Sequence, residues 1–101
     1  MIILTAADVR KALPMGEAIK AMKDAYASFS DGRAVVPLRT RLPIPDSGAL
    51  SLFMPAYVRA RDSEALAIKA VSLFPTNPAR GLAYIQAAVL VFDPETGQAI
   101  A

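Results

Sequence analysis

Between Glu64 and Phe92 the chain reads EALAIKAVSLFPTNPARGLAYIQAAVLVF, two apolar runs separated by a Pro- and Asn-containing loop that ends in Arg80-Gly81. Short apolar runs bounded by such residues are strands. Alternation over Ala65–Phe74 sets Lys69 on a face with Ala67, Val71 and Leu73, and Leu66, Ile68, Ala70, Ser72 and Phe74 on the other. Both faces are apolar, so this strand is expected to be covered on both sides. A lysine there either reaches water at a strand end or points into a cleft. In a cleft it could move a proton or hold a substrate carboxylate, which makes Lys69 the first candidate site residue.

The elements before this pair are of two kinds. Thr5 followed by Asp8 marks a helix N-terminus, and a short helix over Ala6–Leu13 is expected after a short apolar start, Met1–Leu4, that could be a strand. Pro14 suits the first turn of a second helix. Met15, Ile19, Met22, Tyr26 and Phe29 then recur every three or four residues, and Gly32 suits the stop. That stripe reads as core packing. Over Val35–Ile44 the period becomes two, with Pro37, Arg39, Arg41 and Pro43 sharing one parity. Residues of one parity aim their N–H groups at the same edge, so both prolines blank one strand edge and this is an edge strand or one with interrupted pairing. Asp46-Ser47-Gly48 turns the chain into Ala49–Val58, which Pro55 bends or ends. Asp93-Pro94-Glu95-Thr96-Gly97 is another turn, and Gln98–Ala101 begins what reads as a further strand. A hairpin turn with so short a return strand leads us to expect a fragment of a longer protein. The expected fold class is α+β, with N-terminal helices packed on a mostly antiparallel sheet.

Composition narrows the chemistry. With no cysteine and no histidine, disulfides, thiolate catalysis, the usual zinc sites and Ser-His or Cys-His machinery are excluded for these residues, and no metal ligands are assigned. Eleven Lys and Arg against nine Asp and Glu are spread without runs, so no nucleic-acid surface is expected. No segment is apolar for long enough to span a membrane and the N-terminus lacks the plan of a signal peptide, so a cytoplasmic protein is expected. The chain is long enough to bury a core. Its hydrophobic share of 54% nonetheless implies apolar surface that needs a partner subunit or further chain.

Other polar residues are open to two readings each. Arg39 and Arg41 share a strand face and either could grip a carboxylate through paired hydrogen bonds, or both could lie on a solvated surface. Arg80 could contact an anion or cap its turn. Gln86 is either a hydrogen-bonding spacer or a site residue, and Tyr57 and Tyr84 read as packing. The chain has no Gly-x-Gly-x-x-Gly or Walker loop to cradle a nucleotide phosphate.

Taken together, VVPLRTRLPIP, LFMPAY, IKAVSLFPTNPARGL and IQAAVLVFDPETG, after the opening LTAADVRKALPM and GEAIKAMKDAYASFSDGRAVVP, resemble the N-terminal part of the ornithine cyclodeaminase/mu-crystallin family. The resemblance covers essentially the whole chain. It implies that residues 1–101 are the substrate-binding and dimerisation domain of a homodimer, with the NAD- or NADP-binding Rossmann domain not present in them. The shared chemistry it implies is hydride exchange between a nicotinamide and the carbon of a small amino acid or cyclic imine: amino-acid deamination, dehydrogenation or ketimine reduction. By position, Arg39 is similar to the family arginine that binds the substrate carboxylate, and Lys69 to the lysine that contacts substrate and assists proton transfer. Tyr84 and Ile85 fall where some members touch the cofactor, though neither has the small polar side chain often found there. Arg41 matches no functional position of the family. The rival expectations are a non-catalytic small-molecule binder of the crystallin kind and a small dimerising interaction domain.

Overall fold

A computed structural model describes all 101 residues, Met1–Ala101. Helix α1 (Ala6–Ala12) starts on a full capping box. Asp8 N–H donates to the Thr5 hydroxyl, and Thr5 N–H donates to the Asp8 carboxylate at 2.8 Å. The Thr5 hydroxyl, which also donates to the Asp8 carboxylate, and then the Thr5 N–H hold the Asp8 carboxyl below its ordinary pKa, because both favour the charged form. Helix α2 (Met15–Ser30) follows Pro14, which ends in extended geometry before the helical turn, and Gly32 closes it with a φ of 74°.

Five strands follow: β1 (Ala34–Val35), β2 (Thr40–Pro43), β3 (Leu50–Arg59), β4 (Glu64–Leu73) and β5 (Ile85–Phe92). All pairings are antiparallel. The sheet runs β1-β3-β4-β5, with β2 on the same side of β3 as β1. The α+β expectation therefore holds. The Val35–Ile44 run is the interrupted form of the expected edge strand, because Val36–Arg39 leaves the ladder between β1 and β2.

The break is matched across the ladder. Arg59 N–H donates to Arg33 C=O, so the odd residues of β3 aim their N–H groups at the β1/β2 edge. Pro55, which has none, falls among Met54–Ala56, where neither β1 nor β2 provides a partner. Pro55 thus neither ends nor unpairs β3, which continues in register with β4 from Leu50 to Arg59. At the opposite edge the Asp93–Gly97 turn forms, with Asp93 Oδ1 accepting from the N–H groups of Glu95 and Thr96. The return it leads to is a single bridge, Phe92 with Ala99, not a full strand. Met1–Leu4 forms no strand either. Its one tie is Ile2 N–H to Ile100 C=O.

Burial departs furthest from expectation. Only Ser28, Ala49 and Asn77 are buried. The accessible surface is 7949 Å², where a compact monomer of this mass would show about 5,500 Å². The radius of gyration, 15.7 Å, likewise exceeds the roughly 13 Å of a compact 100-residue domain. The sheet is one layer. α2 lies against β1 and β3, and no helix packs extensively on β4 or β5. The stripe Met15, Ile19, Met22, Tyr26, Phe29 is therefore exposed, not core, because nothing in the chain lies on that side of α2. For the same reason β4 is not covered on both faces.

Candidate functional site

Register and pleat sort the side chains into two faces, since directly paired residues share a face and neighbours along a strand alternate. One face carries Leu52, Met54 and Val58 of β3, Ala67, Lys69 and Val71 of β4, Ala87 and Val89 of β5, and Arg41 of β2. Its only charges are Arg41 and Lys69, with no carboxylate among its strand residues. The other carries Phe53, Pro55 and Tyr57 of β3, Leu66, Ile68 and Ala70 of β4, and Ala88, Leu90 and Phe92 of β5. Its charges, Arg59 and Glu64, pair with each other at 3.1 Å beside the β3–β4 turn. We call these the cationic face and the plain face. On the plain face Phe53, Ile68, Ala70, Ala88 and Leu90 line a shallow apolar hollow.

Lys69 lies in the middle of β4, between Met54 and Val89. It is exposed in this chain, and of the two sequence-based alternatives the strand end is excluded. It is at no strand end, and no cleft covers it within this chain. The alternation that set it with Ala67, Val71 and Leu73 holds. Arg39 immediately precedes β2. The β2–β3 ladder begins one residue later, at Thr40 with Phe53, so Arg39 flanks the ladder at the break and holds no paired position in it. The interrupted pairing is the local cause, because it brings the chain back to β3 at Thr40 with Arg39 beside the break. Neither Arg39, Arg41 nor Lys69 takes part in an ion pair. The two in the chain are Arg33–Asp31 at 2.8 Å and Arg59–Glu64 at 3.1 Å.

The remaining candidates lie elsewhere. Ile85 opens β5 opposite Leu73, four residues along from the Lys69 row, or about 14 Å of strand. Tyr84 precedes it, and its C=O accepts from Phe74 N–H at 2.9 Å. Gln86 is on the plain face, its Nε2 donating to Ala83 C=O at 3.2 Å, so it ties the loop and stays out of the cationic face. Arg80 ends a 3-10 turn, Pro78–Arg80, and is exposed. Sequence reading passed over Asn77, the organiser of this loop. It is buried, its Nδ2 donates to Ala83 C=O at 3.0 Å, and its C=O accepts from Arg80 and Leu82. A polar residue between two prolines in an apolar context was the available signal. Also missed was the plain-face pair Ser51–Ser72, whose hydroxyls meet at 2.7 Å. No group of His, Cys, Asp or Glu could hold a metal ion. With no glycine-rich phosphate loop, these residues could offer a dinucleotide one wall and not its main cradle.

The sequence profile of the ornithine cyclodeaminase/mu-crystallin family matches residues 1–101. A Delta(1)-pyrroline-2-carboxylate reductase of Bacillus cereus is 34% identical over 101 residues, which are all of this chain and 30% of that protein. The solved structure of Thermococcus litoralis Delta(1)-pyrroline-2-carboxylate reductase, in complex with NADH and L-proline, superposes with a TM-score of 0.92 at 40% identity. It covers 100% of this chain and 31% of the other. An archaeal alanine dehydrogenase dimer with bound NAD gives a TM-score of 0.86 at 29% identity, over 96% of this chain and 28% of its own. The chain thus spans less than a third of the length of the relatives it matches.

Proposed function

The chain belongs to the ornithine cyclodeaminase/mu-crystallin family, and from that premise we propose that residues 1–101 are the substrate-binding and dimerisation part of a longer NAD(P)-dependent enzyme acting on a small amino acid or cyclic imine. The observation that carries this reading is the cationic face. Lys69, one of the two positions similar to the family's substrate contacts, stands mid-strand on an otherwise apolar sheet surface with no carboxylate of its own, and Arg39, the other, flanks β2 of the same sheet.

In this reading Arg39 holds the substrate carboxylate through paired charge-assisted hydrogen bonds, which fixes the carbon next to it. Lys69 lies at the imine nitrogen or carbonyl oxygen, stabilising charge there and handing over the proton that the nitrogen gains on reduction. The reduced nicotinamide supplies the hydride to the imine carbon. Tyr84 and Ile85 border the cofactor through their backbone. Desolvation of Lys69 comes from the parts of the protein that close over the cationic face. The plain face is where a second subunit sits, in a cytoplasmic homodimer. Support for that assignment is the absence of unpaired charge there and an excess of about 2,400 Å² of surface over a compact monomer, the size of a substantial subunit interface.

The test is oxidation of NADH and of NADPH by the full-length protein that carries this segment. It should be run against cyclic imino acids and against 2-oxo acids with ammonium. Turnover of at least one carboxylate-bearing imine, lost in Arg39→Met, is the expected result. Binding of such acids without turnover would refute the enzymatic reading.

A further inference from the structure

Lys69 has two cross-strand neighbours, Met54 of β3 and Val89 of β5, and they differ in distance and in stiffness. The odd residues of β3 aim their N–H groups at the β1/β2 edge, so Met54 aims its own at β4. On the other side Val91 N–H donates to Ala101 C=O, so Val89, two residues back, aims its backbone away from β4. Lys69 and Met54 are therefore a hydrogen-bonded pair, with Cα atoms about 5.5 Å apart. Lys69 and Val89 are a non-hydrogen-bonded pair at about 4.5 Å, and their side chains lie closer. Val89 is also the stiffer neighbour, because branching at Cβ restricts its rotamers, whereas the unbranched Met54 can give way. Val89 is 58% exposed in this chain, and Met54 is half-buried. Of the β5 residues on the cationic face only Val89 is level with Lys69, since Ala87 and Val91 lie opposite Val71 and Ala67.

We propose that Val89 is a specificity-determining residue of the site, a fixed wall beside Lys69 that limits the bulk of the substrate group lying there. This rests on the reading of Lys69 as a substrate contact given above, and adds to it the residue that selects for size. A group bonded to the imine nitrogen or carbon lies close to the Lys69 ammonium, whose stem starts between Val89 and Met54. On the Met54 side, extra bulk is accommodated by rotation about the bonds of a flexible thioether chain. On the Val89 side it meets two methyl groups that have no easy rotation out of the way. Size is therefore read on the β5 side of the lysine. The reaction itself is unchanged.

The experiment compares a five-membered with a six-membered cyclic 2-imino acid as substrates of the full-length protein with NADH. Val89→Ala should shift the kcat/KM ratio about 10-fold or more towards the larger ring, the effect of methylene-sized space in an apolar pocket. Val89→Leu, which reaches further from the backbone, should shift it by a similar factor towards the smaller ring. Val89→Thr keeps the branched shape and should keep the wild-type ratio. A merely structural role would lower both activities together and leave the ratio alone. An unchanged ratio in both Val89→Ala and Val89→Leu, or a shift in the same direction in both, overturns the assignment while leaving the proposed function standing. A rise in KM for NADH with the ratio constant also overturns it, placing Val89 against the cofactor. If Lys69→Met changes nothing for either substrate, the proposed function fails and this inference with it.

Discussion

The cationic and plain faces of the sheet are built from the same three long strands, alternate residue by alternate residue, yet they suit opposite tasks. Both are dominated by Ala, Val, Leu, Ile and Phe, and both lie open in this chain. On the plain face the charges neutralise each other at one end, Arg59 against Glu64, and the polar Ser51 and Ser72 satisfy each other. A surface whose polar groups are already paired can be buried against another protein at little electrostatic cost. On the cationic face Arg41 and Lys69 are left unmatched, with Arg39 beside them. That surface can be closed only around something negative. Single-sign charge in an apolar setting points to a small ligand, whereas matched charge points to a subunit.

The most disruptive way to test the contrast is at Lys69. In the full-length enzyme Lys69→Met should lower kcat by about 10²- to 10⁴-fold, the range for removing a proton-transfer group. An effect confined to KM would instead make it a binding group. Arg39→Met should raise KM for carboxylate substrates about 100-fold, through loss of a charge-assisted hydrogen-bond pair, and steady-state kinetics read it directly. On the opposite side Ile68→Asp should weaken dimerisation by about 100-fold or more, because a carboxylate would be buried without a partner. Analytical ultracentrifugation would show the shift to monomer, with substrate KM far less affected. A dimer undisturbed by Ile68→Asp would reverse the assignment of the faces.

The smallest effect tests a region remote from both. Thr5→Ala removes the hydroxyl that caps α1 and should cost about 1 kcal/mol in thermal or urea unfolding. Its pH dependence follows from Asp8, whose folded pKa is depressed by the Thr5 bonds. A depressed carboxyl contributes stability above its ordinary value of 3.8 and loses it as the pH falls through the lower folded value. The gap between wild type and Thr5→Ala should therefore narrow in strong acid.

What could be read from the sequence divides along the same physical line. Local rules were enough for the capping box at Thr5 and Asp8, for α2 and its stop at Gly32 (Pro14 stands one place before the first turn expected of it, as the N-cap), for the interrupted edge strand with Pro37, and for the parity that sets Lys69 with Val71. Each depends on a few neighbouring residues. Burial does not. The stripe on α2 and the two-sided apolar character of β4 record that something covers them, but not whether it belongs to residues 1–101, and in this chain nothing does. Pro55 does not end β3 for a related reason. A proline in a strand is harmful only where its missing N–H faces a partner, and the gap between β1 and β2 is visible only once the register is known. Asn77 escaped notice because its role is to join backbone groups of a loop whose path the sequence does not give. Arg39 and Lys69 were each singled out by residue type. That Lys69 stands mid-strand on a face without carboxylates, with Arg39 flanking β2, required the sheet.

The most direct test of the account is a structure of the full-length protein with a cyclic amino acid such as L-proline and oxidised nicotinamide dinucleotide. The account predicts the ligand carboxylate on the cationic face within hydrogen-bond distance of the Arg39 guanidinium, with Lys69 Nζ near the ligand nitrogen. A ligand seated on the plain face, or one touching neither residue, would contradict it.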